Sequence, residues 1–192
     1  GDPRSTGATI RSMSATDTLL EQLRKAKAQG VDAASAKAEW LGLLNALIDD
    51  LSALLGLLKT GIRERKTKEE ISTAQAALIR ASGIIAGMKG ALKNETAALE
   101  KLISSRAKTI KPPKKFILSG ADETDALAHL ARAKARVCEI LAWEIKAKAP
   151  AVYLNRLSDY LFLLGLVKKS MITTQVINRA AATQRELSSY NK

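Results

Sequence analysis

Trp40, Leu43, Leu44, Leu47, Leu51, Leu54, Leu55 and Leu58 recur at three- and four-residue spacing, and further leucines widen the stripe most of the way round. The spacing predicts a helix over 36–59 that sits centrally in a bundle. Upstream, Ser14 is placed to cap a shorter helix over 15–29 that carries Leu19, Leu20 and Leu23 and stops at Gly30. Downstream, Thr67 and Glu70 have the spacing of a capping box, predicting that a third helix starts near Thr67. Its pattern continues to about Lys108, as one helix kinked between Gly87 and Gly90 or as two. The two prolines of IKPPKK end it, because each restricts the residue before it and the second has no amide hydrogen. A fourth helix is predicted over 122–148, and a fifth after Pro150 through Leu166 and as far as Ser188.

Composition agrees with the periodicity. The 192 residues are rich in Ala, Leu, Lys and Glu, only 4% are aromatic, and the class read from them is all-α, in one domain with a substantial core. Residues 1–35 read as an arm with a short helix, and 36–192 as the bundle. Cys138 is the only cysteine and His129 the only histidine, which gives no disulfide framework and no metal site. A reducing, cytoplasmic setting is the expectation, and the opening GDPRST lacks the basic, apolar, small-residue order of a signal peptide. Leu41 to Lys59 is the stretch nearest to a membrane span, but Asp49 and Asp50 at its centre favour a buried bundle helix, so no membrane is expected. The net charge of +12 favours polyanionic partners without choosing among them.

The candidate chemistry lies on the last two helices. His129, Arg132, Arg136 and Glu139 are three, four and three residues apart and so form one line along a helix. Such a line is either a solvated face or the wall of a site. The flank read as opposite, with Leu130, Ala133 and Val137, is only modestly apolar, which favours a wall. In NRLSD, Asn155 and Asp159 share a face and Arg156 can pair with Asp159, beside an apolar stripe of Leu154, Leu157, Leu161 and Leu164. Asp49, set within an apolar helix, calls for a cationic partner.

These residues resemble a known family. FILSGAD, ALAHLARAKARVCE and the unbroken YLNRLSDYLF are similar to the closing third of the PduO-type ATP:cob(I)alamin adenosyltransferases, which runs FI-L-P-G-G, then A-L-H-x-x-R-x-x-x-R-R-x-E, then Y-L-N-R-L-S-D-Y-L-F. DDLSALLG, from Asp49 to Gly56, is similar to the family's D-E-L-x-x-x-I-G, and EISTAQAALIRASGIIA to its second core helix. The resemblance implies a five-helix bundle assembled as a homotrimer, with ATP, Mg²⁺ and cobalamin at subunit interfaces and no nucleic acid as partner. It implies transfer of the 5′-deoxyadenosyl group of ATP to reduced cobalamin or a corrinoid precursor. By motif position, Arg132 pairs with Asp49 of a neighbouring copy and Arg136 binds the polyphosphate. Glu139, Asn155 and Arg156 belong to the same nucleotide site, while Phe116 presses on the lower face of the corrin.

The departures bear on that expectation. The family's T-G-D-K-G phosphate segment has only STGAT, Ser5 to Thr9, as its echo, without the lysine. Val137 replaces the second arginine of the R-R pair, and P-G-G is reduced to Ser119-Gly120-Ala121, whose turn rests on Gly120. A bundle that binds a corrinoid or nucleotide without turnover is the alternative. A basic helical protein that binds nucleic acid through GIRERKTK or KTIKPPKK is the more distant one.

Overall fold

A computed structural model describes residues 33–110, 113 and 118–166 of the chain. The helix expected over 15–29, Phe116 and the extension towards Ser188 lie outside the described residues. Within them the protein is all-helical, with five helices: α1 (Ala33–Gly61), α2 (Arg65–Ile85), α3 (Lys93–Ala107), α4 (Glu123–Glu144) and α5 (Lys148–Leu166). From Leu41 onward they form one compact unit.

α5 is the central helix. It packs most extensively on α4, and also on α3 and α2. Tyr153, Leu154, Leu157, Tyr160 and Leu161 are each at most 1% exposed, and they point in several directions around the helix axis. α1 buries a narrower stripe, Leu44, Ile48, Leu51, Leu55 and Leu58, at alternating four- and three-residue steps. Its remaining faces keep Leu43 and Leu57 exposed. The helix is long and apolar enough to cross a membrane by length and composition alone, yet Asp49 and Asp50 are exposed at its middle, where lipid would penalise them.

The α4–α5 seam is built from small residues. Ala128, Ala131, Ala135, Cys138 and Ala142 form the buried line of α4. Leu130 instead lies 48% exposed. The buried face of α4 is therefore an alanine stripe, not the Leu130 flank, because small side chains permit the closer helix approach. Burial pushes the Cys138 thiol up to about 12, with Lys134 opposing the shift and Asp50 adding to it, so the group stays a neutral, small hydrophobe.

Polar ties fix which helices neighbour which. Gln75 Nε2 donates to the Ser52 carbonyl at 2.8 Å and Lys59 Nζ to Gln75 Oε1 at 3.0 Å, joining α1 to α2. The largest tie links α2, α3 and α5. Arg106 donates to Glu70 Oε2 at 2.5 Å and to Thr67 Oγ1 at 3.1 Å, Tyr160 OH donates to the same Glu70 oxygen at 2.8 Å, and the Arg106 guanidinium stands 5.3 Å over the Tyr160 ring. Burial works against the charge of Arg106, but the hydrogen bond and charge of Glu70 outweigh it, and the guanidinium is held above its ordinary value. Burial, reinforced by Glu70, likewise raises the Tyr160 phenol, so it stays a donor.

That tie also corrects the capping-box reading. Glu70 is committed to Arg106 and Tyr160, and α2 begins at Arg65, two residues before the expected start. Thr67 is buried and donates its hydroxyl back to Glu64 Oε2 at 2.6 Å. The long third helix resolves as two, α2 and α3. Gly87, at φ 100°, lets the chain turn, with the Met88 amide bonded to the Gly83 carbonyl and the Ala86 amide to that of Ser82.

α4 ends four residues before the expected Lys148, and α5 starts two residues before Pro150 rather than after it. Proline is tolerated there because an amide in the first turn has no intrahelical acceptor. Between the two helices Lys146 takes the left-handed conformation, at φ 63°, so that the Ala147 amide can reach the Ala142 carbonyl at 2.8 Å. A side chain there carries a steric cost that glycine avoids. Lys146→Gly is accordingly expected to stabilise the fold by about 0.5–1 kcal/mol in urea denaturation; an unchanged or lower midpoint would contradict the strain assigned to this turn.

Candidate active site

Glu139 is the buried end of the line read along α4. The residue is 7% exposed, and both of its oxygens are used. Oε2 accepts from Arg136 Nη1 at 2.6 Å, and Oε1 accepts from Asn155 Nδ2 of α5 at 2.9 Å. Asn155 passes the chain of contacts on, its Oδ1 accepting from Arg156 Nε at 3.1 Å and also from Arg156 Nη2. Arg156 Nη2 then meets Asp159 Oδ2 at 3.2 Å. One continuous polar network therefore runs Arg136–Glu139–Asn155–Arg156–Asp159 across the α4–α5 seam.

A buried carboxylate is tolerated only when its partners replace water, which Arg136 and Asn155 do here. The exposed ends are different in character. Arg136 keeps 46% of its side chain exposed, so a guanidinium aimed by Glu139 still presents donors to solvent. Arg156 and Asp159 are 37% and 45% exposed, and their pair adds little stability. The arginine line is thus neither wholly solvated nor wholly buried: its anchor is inside and its donors are outside.

Arg132, one turn before Arg136, is exposed and has no carboxylate partner among the described residues. Its guanidinium stands 5.1 Å over the ring of Phe162 on α5. The His129 ring meets the same Phe162 edge-on at a centroid distance of 6.1 Å. Gly165 completes this corner, since a Cβ there would come within 2.9 Å of His129 Nε2.

Asp49 is exposed rather than buried, and without an ion-pair partner among the described residues. The reason is angular: Ile48 belongs to the buried stripe, and the next residue is turned about 100° away from it. Its neighbour Asp50 makes the intrachain contact instead, pairing with Lys134 across the α1–α4 boundary.

Ahead of α4, the turn after Phe116 is tightly defined from Leu118 on. Gly120 adopts φ 111°, and the amides of Gly120 and Ala121 both donate to Asp125 Oδ2, at 2.6 and 2.9 Å. Asp122 caps the helix by accepting from the Asp125 amide at 2.8 Å. The sharp turn expected to rest on Gly120 is present. A cleft of about 230 Å³ adjoins it, lined by Gly61, Thr67, Arg106, Thr124, Asp125 and Gly165 among others.

Of the residues singled out from the sequence, Arg136, Glu139, Asn155 and Arg156 come together, Arg132 lies one turn away, and Asp49 stands apart on α1. Phe116 is outside the described residues. Sequence reasoning missed Phe162, Asp125 and the Lys134–Asp50 pair. Phe162 closes the YLNRLSDYLF motif and could have been found there; Asp125 carries no signal beyond its place near a helix start. No group of three or more His, Cys, Asp or Glu side chains gathers among the described residues, so they offer no protein-built metal cage.

The chain is similar to known proteins along most of its length. The sequence model of the family described as Cobalamin adenosyltransferase matches residues 28–168. Corrinoid adenosyltransferases of Mycobacterium leprae and Mycobacterium tuberculosis are each 44% identical to it, over 59 and 61 residues, 27% and 28% of this chain. Those stretches span 31% and 32%, about a third, of the relatives' own length. Among solved structures, a variant PduO-type ATP:corrinoid adenosyltransferase from Lactobacillus reuteri complexed with cobalamin and ATP superposes with a TM-score of 0.62 at 22% identity, covering 68% of this chain and 78% of that one. A second variant of the same enzyme, complexed with ATP, gives 0.62 at 22% identity over 67% and 80%. The helical architecture is the one those enzymes share, and with the family model covering both arginine-bearing helices, the chain belongs to the cobalamin adenosyltransferase family.

Proposed function

We propose that this protein transfers the 5′-deoxyadenosyl group of ATP to the cobalt of a reduced corrinoid, cob(I)alamin or a precursor, releasing triphosphate. The observation that carries the reading is the Arg136–Glu139–Asn155–Arg156 network, because it joins in one place the four residues that the motif assigns to the nucleotide.

The chemistry asks little of the protein beyond position and charge. Cobalt(I) is itself the nucleophile. It attacks C5′ of ATP, the C5′–O bond breaks, and the bonding electrons leave with the triphosphate, so no general base is needed. Negative charge builds up on the leaving group, and Arg136, oriented by Glu139, supplies fixed guanidinium donors to it. Asn155 and Arg156 hold that orientation from α5. Magnesium, for which the described residues form no cage, would come bound to the phosphates, as is usual for a cation that keeps much of its own water. Phe116 would fill the lower face of the corrin and exclude its axial base, easing the prior one-electron reduction.

The working assembly in this reading is a homotrimer in the cytoplasm, its bundle formed by residues 36–192 with 1–35 as an arm. Three features support the subunit contact: Asp49 and Arg132 are exposed charges of opposite sign, each without an ionic partner among the described residues, and Leu43, Leu57, Leu130 and Trp143 are exposed apolar groups. Pairing Arg132 with Asp49 of a neighbouring copy would satisfy both charges. A second reading, binding without turnover, draws on STGAT, which has no lysine where the family's segment cradles the triphosphate, and on Val137, where the family has a second arginine.

Arg136→Ala should weaken ATP binding by about tenfold to a hundredfold in titration calorimetry while leaving the assembly's size unchanged; wild-type affinity in this variant would remove Arg136 from the nucleotide site. For the subunit contact, Asp49→Arg and Arg132→Asp should each lower the mass found by light scattering, and the double exchange should restore it. Single variants that assemble normally would count against the pair.

A further inference from the structure

Asp125 is 2% exposed and is engaged on three sides, none of which involves a cation of ordinary kind. Its Oδ2 receives two backbone amides, from Gly120 and Ala121. Its Oδ1 lies 3.3 Å from His129 Nε2, although the alignment is not that of a hydrogen bond and this nitrogen has no other partner. His129 in turn meets Phe162 edge-on and closes against Gly165. A single buried carboxylate thus connects the turn before α4 to the ring that Arg132 covers on α5.

We propose that Asp125 is a positioning residue for the corrinoid, acting by fixing the Gly120–Ala121 turn against α4 and, through His129, the setting of Phe162. The proposal rests on the adenosyltransferase reading, in which Phe116, four positions before Gly120, meets the corrin. The argument is one of rigidity. Gly120 takes a backbone conformation that glycine alone adopts freely, which leaves the turn many alternatives unless something selects one. Two short charge-assisted hydrogen bonds to a carboxylate on a rigid helix make that selection. Ser119-Gly120-Ala121 lacks the proline and second glycine of the family's P-G-G, so the turn's geometry rests on Gly120 together with the contact from Asp125. The nucleotide network around Glu139 lies more than two turns further along α4 and shares no residue with this one.

A split between substrates tests this. In a folded Asp125→Ala protein the KM for cob(I)alamin should rise about tenfold or more while that for ATP stays within about twofold, because a misplaced contact costs binding and rate only where it acts. The share of bound cob(II)alamin held without its axial base, read from its absorption spectrum, should fall in parallel. Asp125→Asn, nearly the same shape and able to accept both amides at its one carbonyl oxygen but without the charge, should fall between Asp125→Ala and wild type, and it carries the test if the alanine variant does not fold. Unchanged corrinoid KM and spectrum in either folded variant would overturn the proposal, as would equal losses for both substrates. A wild-type protein that neither binds nor converts the corrinoid would instead remove the adenosyltransferase reading, and this proposal with it.

Discussion

The carboxylate of Glu139 is the point on which the arrangement of α4 and α5 depends. Taking a carboxylate out of water costs several kcal/mol unless its lone pairs are matched, and removing one partner of such a group is far more damaging than removing an exposed pair. Glu139 is matched by one donor from its own helix and one from the next, Arg136 at 2.6 Å and Asn155 at 2.9 Å. A shift of α5 along α4 by a single residue would strand it. The contact therefore sets the register of the two helices and, in the same act, aims an arginine outward. Stability and the direction of that exposed guanidinium come from one interaction.

The alanine stripe makes that interaction possible. Buried alanines at 128, 131, 135 and 142 let neighbouring helices come close to α4, and Asn155 of α5 reaches Glu139 across it. The bundle then has two further ties of similar kind: Arg106–Glu70–Tyr160 joins α2, α3 and α5, and Asp125 joins α4 to the turn before it. In each case a buried or half-buried acid accepts two hydrogen bonds or more, and the apolar stripes fill the space between. Hydrophobic burial supplies most of the stabilisation, while the acids decide among the packings that burial alone would allow.

Much of this was legible in the sequence. The leucine spacing placed α1 and the apolar stripe of α5 within a few residues, since burial on one helical face leaves a direct trace in periodicity. Asn155 and Arg156 could be named because YLNRLSDYLF is unbroken, and Arg136 and Glu139 because their motif keeps both of them although Val137 interrupts it. What escaped depended on pairings between distant positions. Thr67 and Glu70 have the spacing of a capping box, but Glu70 is taken by Arg106, 36 residues later, and the helix starts elsewhere. Asp49 and Asp50 are adjacent and alike in type, and only the three-dimensional rotation of α1 shows that Asp50 meets Lys134 while Asp49 faces out. Asp125 is one acid among several near a helix start, and its role comes from two backbone amides that leave no mark in side-chain pattern.

The central claim is that this bundle transfers the 5′-deoxyadenosyl group of ATP to a reduced corrinoid. It is tested most directly by mixing the protein anaerobically with ATP, Mg²⁺ and chemically reduced cob(I)alamin and following the cobalt(I) absorption band. The account predicts that the band decays to the spectrum of the adenosylated product, with triphosphate released in equal amount, and that the decay requires both protein and ATP. A band that persists while ATP and corrinoid are both measurably bound would contradict it and leave a binding protein on the adenosyltransferase scaffold.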